Sequence, residues 1–137
     1  MGQQQLLLIV LSVIIVGLAV VVGLNMHNDR MAADNLDAIT SDLINLASRA
    51  QQHYRRPTSM GGGGSSFALL TADEAGIAYL TTRPDNENGT FSISVAGTDS
   101  TVSIQAVGTE DGDGDGVNCT VTAQVWADSL AVEVNNR

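Results

Sequence analysis

An uncharged apolar run near the N-terminus constrains the fold of this chain more than any other feature. Residues 6–24 read LLLIVLSVIIVGLAVVVGL and contain no charged side chain. As a helix rising about 1.5 Å per residue, the run is about 28 Å long, which matches the roughly 30 Å hydrocarbon core of a membrane. No basic residue precedes it and no small-residue cleavage site follows it, so we expect it to be retained rather than removed as a signal peptide.

The helix is predicted to continue well beyond this apolar run. Residues 25–56 contain neither Gly nor Pro, and Pro57 is expected to end the helix. Apolar residues recur at spacings of three and four and form one amphipathic stripe: Leu36, Ile39, Leu43, Leu46, Ala50 and Tyr54. We therefore predict one helix from about residue 3 to about residue 56, roughly 80 Å long. A domain of this size has no core that long, so lipid or copies of the chain must cover the first half.

The C-terminal part of the chain has the period-two pattern of β-strands. Apolar and polar residues alternate in four segments from Thr90 onward: TFSISVAG, TVSIQAVG, CTVTAQVW and LAVEV. Alternation interrupted by short polar turns is typical of an antiparallel meander. The expected fold class is α+β, in which the amphipathic half of the long helix packs on a C-terminal antiparallel sheet of about four strands.

Turn-forming residues dominate the connection between the helix and the sheet. Residues 61–64 read GGGG between serines, a composition typical of a flexible linker. Thr71 and Glu74 fit the capping-box pattern T-x-x-E, which predicts either a short helix or a turn into an extended segment. The predicted organisation has four parts: an apolar helix half at 1–24, an amphipathic helix half at 25–56, a Gly-rich linker and loop region at 57–89, and the sheet at 90–137.

The charge balance narrows the range of partners and activities. The chain has fifteen Asp and Glu against six basic residues, and its formal net charge is −9. A negative surface repels phosphate backbones, so we expect no nucleic-acid partner. The sequence has no G-x-S-x-G nucleophile motif and no phosphate-binding glycine pattern. We therefore expect a protein that is not an enzyme, and we expect the lone Cys119 to be a small core side chain of a strand.

One acidic loop has a metal-binding pattern. The sequence EDGDGDG places Asp111, Asp113 and Asp115 at alternate positions before Gly116, as in the first half of a calcium loop. The twelfth position counted from Asp111 is Thr122 instead of the Glu that would complete such a loop. Two interpretations therefore stay open, a calcium site and a solvated hairpin tip. Calcium is the only cofactor that the sequence suggests.

The order of these segments resembles the type IV pilin superfamily, which includes major pilins and the pseudopilins of type II secretion. The resemblance rests on the short polar start up to Gln5, the unbroken apolar run, the amphipathic half of the helix and the four-stranded sheet. It implies Met1 as the first residue of a processed chain. The family usually has Glu where this chain has Gln5, and that carboxylate is thought to pair with the N-terminal amine of a neighbour. Gln5 can hydrogen-bond such an amine but cannot neutralise its charge.

The resemblance also implies a location and a partner. The subunit is expected to cross the cytoplasmic membrane once before it joins identical subunits in an extracellular filament on the cell surface. The residues expected in the filament core are Gln5, Leu8, Leu11, Ile15, Gly17, Leu18, Val22 and Gly23. No leader peptide precedes Met1, so we expect either a processed chain or one that needs no leader cleavage. The assembly machinery is not identified by the sequence.

Two alternatives to a filament subunit are carried forward. The first is a minor pseudopilin that serves as an assembly factor of a secretion system. The second is a β-domain that a single membrane span anchors and that binds calcium or a partner. The length of the helix favours the filament subunit, because an anchor needs only about twenty residues.

Overall fold

A computed structural model, which describes residues 2–137, shows one long helix followed by a four-stranded antiparallel sheet. The helices are α1 (Gly2–Arg55) and the short α2 (Glu74–Ala78), with a 3-10 turn at Thr58–Met60 between them. The strands are β1 (Gly89–Val95), β2 (Thr101–Gly108), β3 (Thr120–Trp126) and β4 (Leu130–Asn136). Neighbours in sequence are neighbours in the sheet, in the order β1-β2-β3-β4. The predicted α+β class is confirmed.

Helix α1 has the predicted length and ends where its sequence stops favouring a helix. Its 54 residues correspond to about 80 Å. The backbone turns to an extended conformation at Pro57, with φ −60° and ψ 150°, and the 3-10 turn begins there. Because the ring of Pro57 clashes with a preceding helical turn and supplies no N–H, the helix cannot continue through it.

The second half of α1 packs across the middle of the sheet and forms the core with β2 and β3. Ile39, Leu43, Ala47 and Ala50 are completely buried in this contact. The sheet contributes the completely buried side chains Ile104, Ala106, Val121, Ala123 and Val125. Leu36 and Tyr54 lie partly buried at the edge of the core. The predicted stripe of α1 is therefore the face that covers the sheet.

The alternation of the strands predicts burial well in β1, β2 and β3, apart from the exposed Val95 at the end of β1, and poorly in β4. Leu130, Val132 and Val134 lie opposite Val125, Ala123 and Val121 in the register of β3 and β4, so they point to the same face as the core. Val132 and Val134 are nevertheless 38% and 46% exposed. The reason is that α1 lies over β2 and β3 and does not extend over β4.

The glycine run, which the sequence predicts to be a flexible linker, is folded onto the end of α1. Backbone N–H groups of Gly62, Gly63 and Gly64 donate to the carbonyls of Pro57, His53 and Arg56. These bonds satisfy carbonyl groups that the last turn of a helix otherwise leaves unpaired. A side chain at Gly62 would place its Cβ 2.2 Å from the carbonyl oxygen of Arg56, so this close approach requires glycine.

The segment predicted to be either a short helix or a turn forms a helix, α2. Its N-cap residue differs from the predicted one. The N-cap is Asp73, whose carboxylate accepts the backbone N–H of Gly76 at 2.9 Å. Thr71, which the capping-box pattern placed at the cap, instead donates its hydroxyl to Asp73. These two bonds lower the pKa of Asp73, the Thr71 hydroxyl contributing most.

His53 makes the stability of this end of the domain depend on pH. Its side chain is buried, its Nε2 has no hydrogen-bond partner within residues 2–137, and burial together with the charge of Arg56 lowers its pKa below 6.5. The unfolded chain binds a proton at His53 more readily than the folded chain does. The contribution of His53 to the free energy of unfolding is therefore greatest above pH 6.5, and it is lost as the pH falls from 6.5 through the lowered pKa of the folded state. We expect the unfolding temperature to fall between pH 7.5 and pH 5.5.

The His53→Leu variant isolates this effect. It should lose less stability than the wild type over the same pH interval, because Leu does not titrate. His27→Leu serves as the matched control, since His27 is exposed on α1, and it should keep the pH dependence of the wild type. Thermal unfolding of the full chain in detergent, followed by circular dichroism, measures all three. An unchanged pH dependence in His53→Leu would show that other groups, such as the carboxylates, account for it.

Candidate functional site

The first half of α1 is an apolar surface that the rest of the chain leaves uncovered. Its best 18-residue window has a mean hydropathy of 3.2, and none of that window is buried. From Leu6 to Leu24 the large apolar side chains are between 53% and 69% exposed. Among residues 2–137, α1 alone is long and apolar enough to cross a membrane. A membrane or another protein surface must cover it, because water solvates such a surface poorly.

The residues predicted for the filament core all lie on this uncovered half, most of them in one row and the others elsewhere around the helix. Leu8, Leu11, Ile15, Leu18 and Val22 follow each other at spacings of three and four, so they form one row. Gly17 lies on the opposite side of the helix by the same geometry. No other atom lies within 4 Å of a Cβ built at Gly17 or Gly23. A helix that is apolar all round requires cover on every side.

Polar groups in this half are few and are arranged in a way that suits an apolar environment. The hydroxyl of Ser12 donates to the carbonyl of Leu8 at 2.7 Å, four residues earlier, which satisfies it inside the helix. Gln5 lies one residue before the apolar run and is exposed. The expectation for Met1 as a processed first residue lies outside the described residues.

The acidic loop between β2 and β3 brings its three aspartates together. One carboxylate oxygen from each of Asp111, Asp113 and Asp115 lies within 4.8 Å of the others. The two oxygens of Asp111 accept the backbone N–H groups of Gly114 and Gly116, each at 2.7 Å. These bonds, with that from Gly116 contributing most, lower the pKa of Asp111. The loop is therefore closed around Asp111, and Asp113 and Asp115 project from it into solvent.

The loop meets only part of what a calcium site needs. Calcium in proteins is bound by about six to eight oxygen atoms, and the three aspartates offer a convergent set of hard ligands. Thr122, at the position where a calcium loop has its bidentate Glu, lies inside β3 and donates its hydroxyl to Asn135. Asp115 is also held from the β4 side, because the amide of Asn136 donates to both of its oxygens at 3.3 and 3.2 Å. Calcium binding stays a prediction.

A calcium titration of the full chain tests this prediction. Three carboxylates, two of them exposed, without a bidentate Glu should give a weak site, with a Kd of about 0.1 to 1 mM, in the range of extracellular calcium modules. Asp113→Asn should weaken binding at least several-fold, whereas Asp99→Asn, at the turn between β1 and β2, should leave it unchanged. Isothermal titration calorimetry is the measurement. Equal heats of calcium binding for the wild type and Asp113→Asn would indicate that the acidic loop is a solvated turn and not a calcium site.

The structure also shows a cationic groove that the sequence did not predict, which we call the arginine groove. Its cavity of about 420 Å³ is lined by the side chains of Arg49, Gln52, Arg56 and Tyr79 among others. Past Arg49 the groove continues into an adjoining cavity of about 530 Å³ that Arg83 also lines. The only signal in the sequence was the concentration of arginines at the end of the long helix. Arg83, 34 residues after Arg49, joins them only through the fold.

Cys119 and the two histidines add no further site. Cys119 is 1% exposed in the core, as expected, and burial raises the pKa of its thiol, which opposes formation of a reactive thiolate. His27 and His53 both lie on α1, separated by 26 residues and therefore about 39 Å along the helix. They cannot act on one ligand within the same chain.

Comparisons with protein-family models, with curated proteins and with solved structures found no match to this chain. The architecture itself, a long apolar N-terminal helix packed on a four-stranded antiparallel sheet, is compatible with a pilin-like protein. The functional argument therefore rests on the exposed surfaces described above.

Proposed function

We propose that this chain is a structural subunit of an extracellular, type IV pilus-like filament, in which the first halves of many α1 helices form the core. The observation that carries this proposal is that the helix holding the folded domain continues, without interruption, into an apolar half that nothing else within residues 2–137 covers. Identical helices packed side by side would cover this half on every side. Before assembly, the lipid of the cytoplasmic membrane would do so.

The rigid connection between the two halves of α1 favours a filament subunit over a plain anchor. Ala32, only eight residues after Leu24, is already buried against the folded domain. Residues 25–31 between them are helical, so the domain is fixed in position and angle relative to the apolar half. A tether has no need of such a fixed angle, whereas a helical polymer repeats one geometry at every subunit.

Assembly in this proposal exchanges lipid contacts for protein contacts. Lipid tails are as apolar as the helix, so the gain comes from close packing and from the release of lipid. Gly17 and Gly23 have no side chain and Ala19 has only a methyl group, so these positions permit close approach of neighbouring helices. The acidic sheet domains would lie outside this core, where their net charge keeps neighbouring filaments dispersed.

Electron microscopy of material sheared from cells that express the chain tests the proposal. We expect thin, uniform fibres that antibodies against the sheet domain decorate along their whole length. Decoration confined to fibre tips, or antibody signal only at a secretion complex, would favour the minor pseudopilin. Absence of fibres, with all of the chain in the membrane fraction as a monomer, would favour the anchored domain and contradict the proposal.

A further inference from the structure

The arginine groove and the acidic loop are two separate surfaces of the folded domain. The arginine groove lies at the end of α1 on the β1 side of the sheet, where Arg83 shares a cavity with Phe91 of β1. The acidic loop lies toward the start of the domain and on the β4 side, where Asn136 holds Asp115. The loop meets α1 at Ala32, since a Cβ at Gly112 would lie 3.0 Å from that side chain. From Ala32 to Arg49 is about 25 Å along the helix.

The arginine groove is cationic in a chain of strongly negative net charge. No acidic side chain within residues 2–137 lines the cavity around Arg56. Asp42 lines the adjoining cavity that contains Arg83, and the amides of Asn86 and Asn88 already donate to its carboxylate. Glu87 lines a further cavity beside Arg83, so among the described residues the part of the groove without acids is the cavity around Arg56.

Within residues 2–137, the groove arginines make no side-chain hydrogen bond to a carboxylate. Arg49 donates to the backbone carbonyl of Leu80, and Arg83 enters hydrogen bonds only through its backbone. The groove therefore offers several unused hydrogen-bond donors to a negatively charged ligand.

The acidic loop has the shape and rigidity to serve as that ligand. Gly114 and Gly116 adopt the left-handed φ of 77° and 85° that the tight turn requires, and both are held by Asp111. Asp113 and Asp115 at the tip are exposed. One positive side chain, Arg137, lies beside the loop and lines a cavity with Gly112 and Asp29. A preformed loop loses little conformational entropy when it is bound.

We propose that the arginine groove receives the acidic loop of a second copy of the chain, and that this contact joins successive subunits head to tail. The cavity around Arg56 and the acidic loop lie toward opposite edges of the sheet. Arg49, the arginine of that cavity nearest the loop, is about 25 Å along α1 from Ala32, so the loop of one chain does not fill its own cavity around Arg56. A contact between two different surfaces of identical subunits leaves a free groove and a free loop at the ends, and it therefore repeats without closing. This inference rests on the proposed filament, because the contact would set the register between successive subunits of that filament.

Exposed aromatic and apolar side chains support the same contact. Tyr79, 51% exposed, lines the arginine groove. Val117, 52% exposed, lies on the acidic loop, and Val132 and Val134 lie uncovered on the neighbouring β4. Interfaces combine Tyr and Arg with apolar contacts in this way, and charge pairs at their rim mainly set orientation and partner choice. Such pairs are screened by salt, so the contact should weaken as ionic strength rises.

A charge exchange in the full chain tests the proposal. Arg56→Asp and Asp113→Arg should each lower the yield of sheared fibres at least tenfold, because each brings like charges together. The two changes combined in one chain should restore the yield to within about threefold of the wild type. Arg56→Lys is the matched control and should keep most of the fibres. Failure of the combined variant to recover, with both single variants impaired, would overturn the contact.

Disulfide cross-linking in membranes separates this inference from the filament proposal. The double variant Gln52→Cys, Val117→Cys leaves the charges of the contact in place and should give a ladder of dimers, trimers and higher oligomers on mild oxidation, whereas Ser92→Cys, Val117→Cys should give none. Fibres with no ladder would overturn the head-to-tail contact and leave the filament standing. A ladder without fibres would support the contact and contradict the filament. Cross-linked dimers alone would indicate a closed pair and overturn the open-ended contact.

Discussion

Replacing Leu11 by Asp is expected to abolish fibres while the sheet domain stays folded. Leu11 lies near the middle of the apolar half, is 53% exposed, and is far along α1 from the core that starts at Ala32. A carboxylate at this depth costs about 2.5–3.5 kcal/mol on insertion scales, and every subunit of a filament would carry that cost. A loss of this size repeated at each helix contact should reduce the yield of sheared fibres at least a hundredfold.

Two further variants separate assembly from folding and from membrane insertion. Ser92→Asp adds the same charge on the exposed outer face of the sheet and should leave fibre yield unchanged. Gly17→Leu keeps the segment apolar, so the protein should still enter the membrane, but the added side chain should prevent close packing of helices and reduce fibres. Membrane fractionation, circular dichroism and electron microscopy provide the three measurements. Normal fibres from both Leu11→Asp and Gly17→Leu would contradict the packing of α1 in the core.

The sheet domain is expected to fold without residues 1–24 and to unfold without residues 1–57. Of the described residues, the shorter deletion removes only exposed ones, 2–24. The longer deletion removes Ile39 and Leu43, which are completely buried, together with the rest of the helical face of the core. Burying one such side chain contributes about 1.5–3 kcal/mol, and domains have only about 5–15 kcal/mol of stability in total. Loss of the whole face should therefore exceed the stability of the domain.

Circular dichroism and urea unfolding of the two truncated proteins check this expectation. The chain from residue 25 onward should be soluble and unfold cooperatively, and the chain from residue 58 onward should show no cooperative transition. The point variant Leu43→Ala in the longer protein should cost about 2–5 kcal/mol, whereas Ile44→Ala, on the exposed side of α1, should cost less. A cooperative transition in the chain from residue 58 onward would show that the sheet does not depend on α1.

Local periodicity was sufficient to predict most of this fold. The spacing of Ile39, Leu43, Leu46 and Ala50 predicts which face of α1 is buried, and the alternation in β2 and β3 predicts which side chains meet it. Periodicity gives the face of each element but not its lateral position on the sheet. The sequence therefore did not predict that β4 would extend past the helix and leave Val132 and Val134 uncovered.

Contacts made by the backbone explain the other differences. Four glycines in a row are typical of a linker, but the same lack of side chains lets Gly62 approach the carbonyl of Arg56 and close the end of α1. The convergence of Asp111, Asp113 and Asp115 was predictable because residues two apart in a tight loop share a side. The arginine groove was not, because Arg49 and Arg83 become neighbours only after α1 and the loop before β1 have packed together.

The uninterrupted course of α1 determines how a fibre of such subunits responds to pulling. Tension applied along the fibre axis would pass through the backbone of one stiff rod per subunit, and the sheet, attached to the side of that rod, would carry little of it. Such a fibre should yield by sliding of whole rods past one another before any domain unravels. Its resistance to stretching is then set by the contacts between neighbours rather than by the strength of the individual fold.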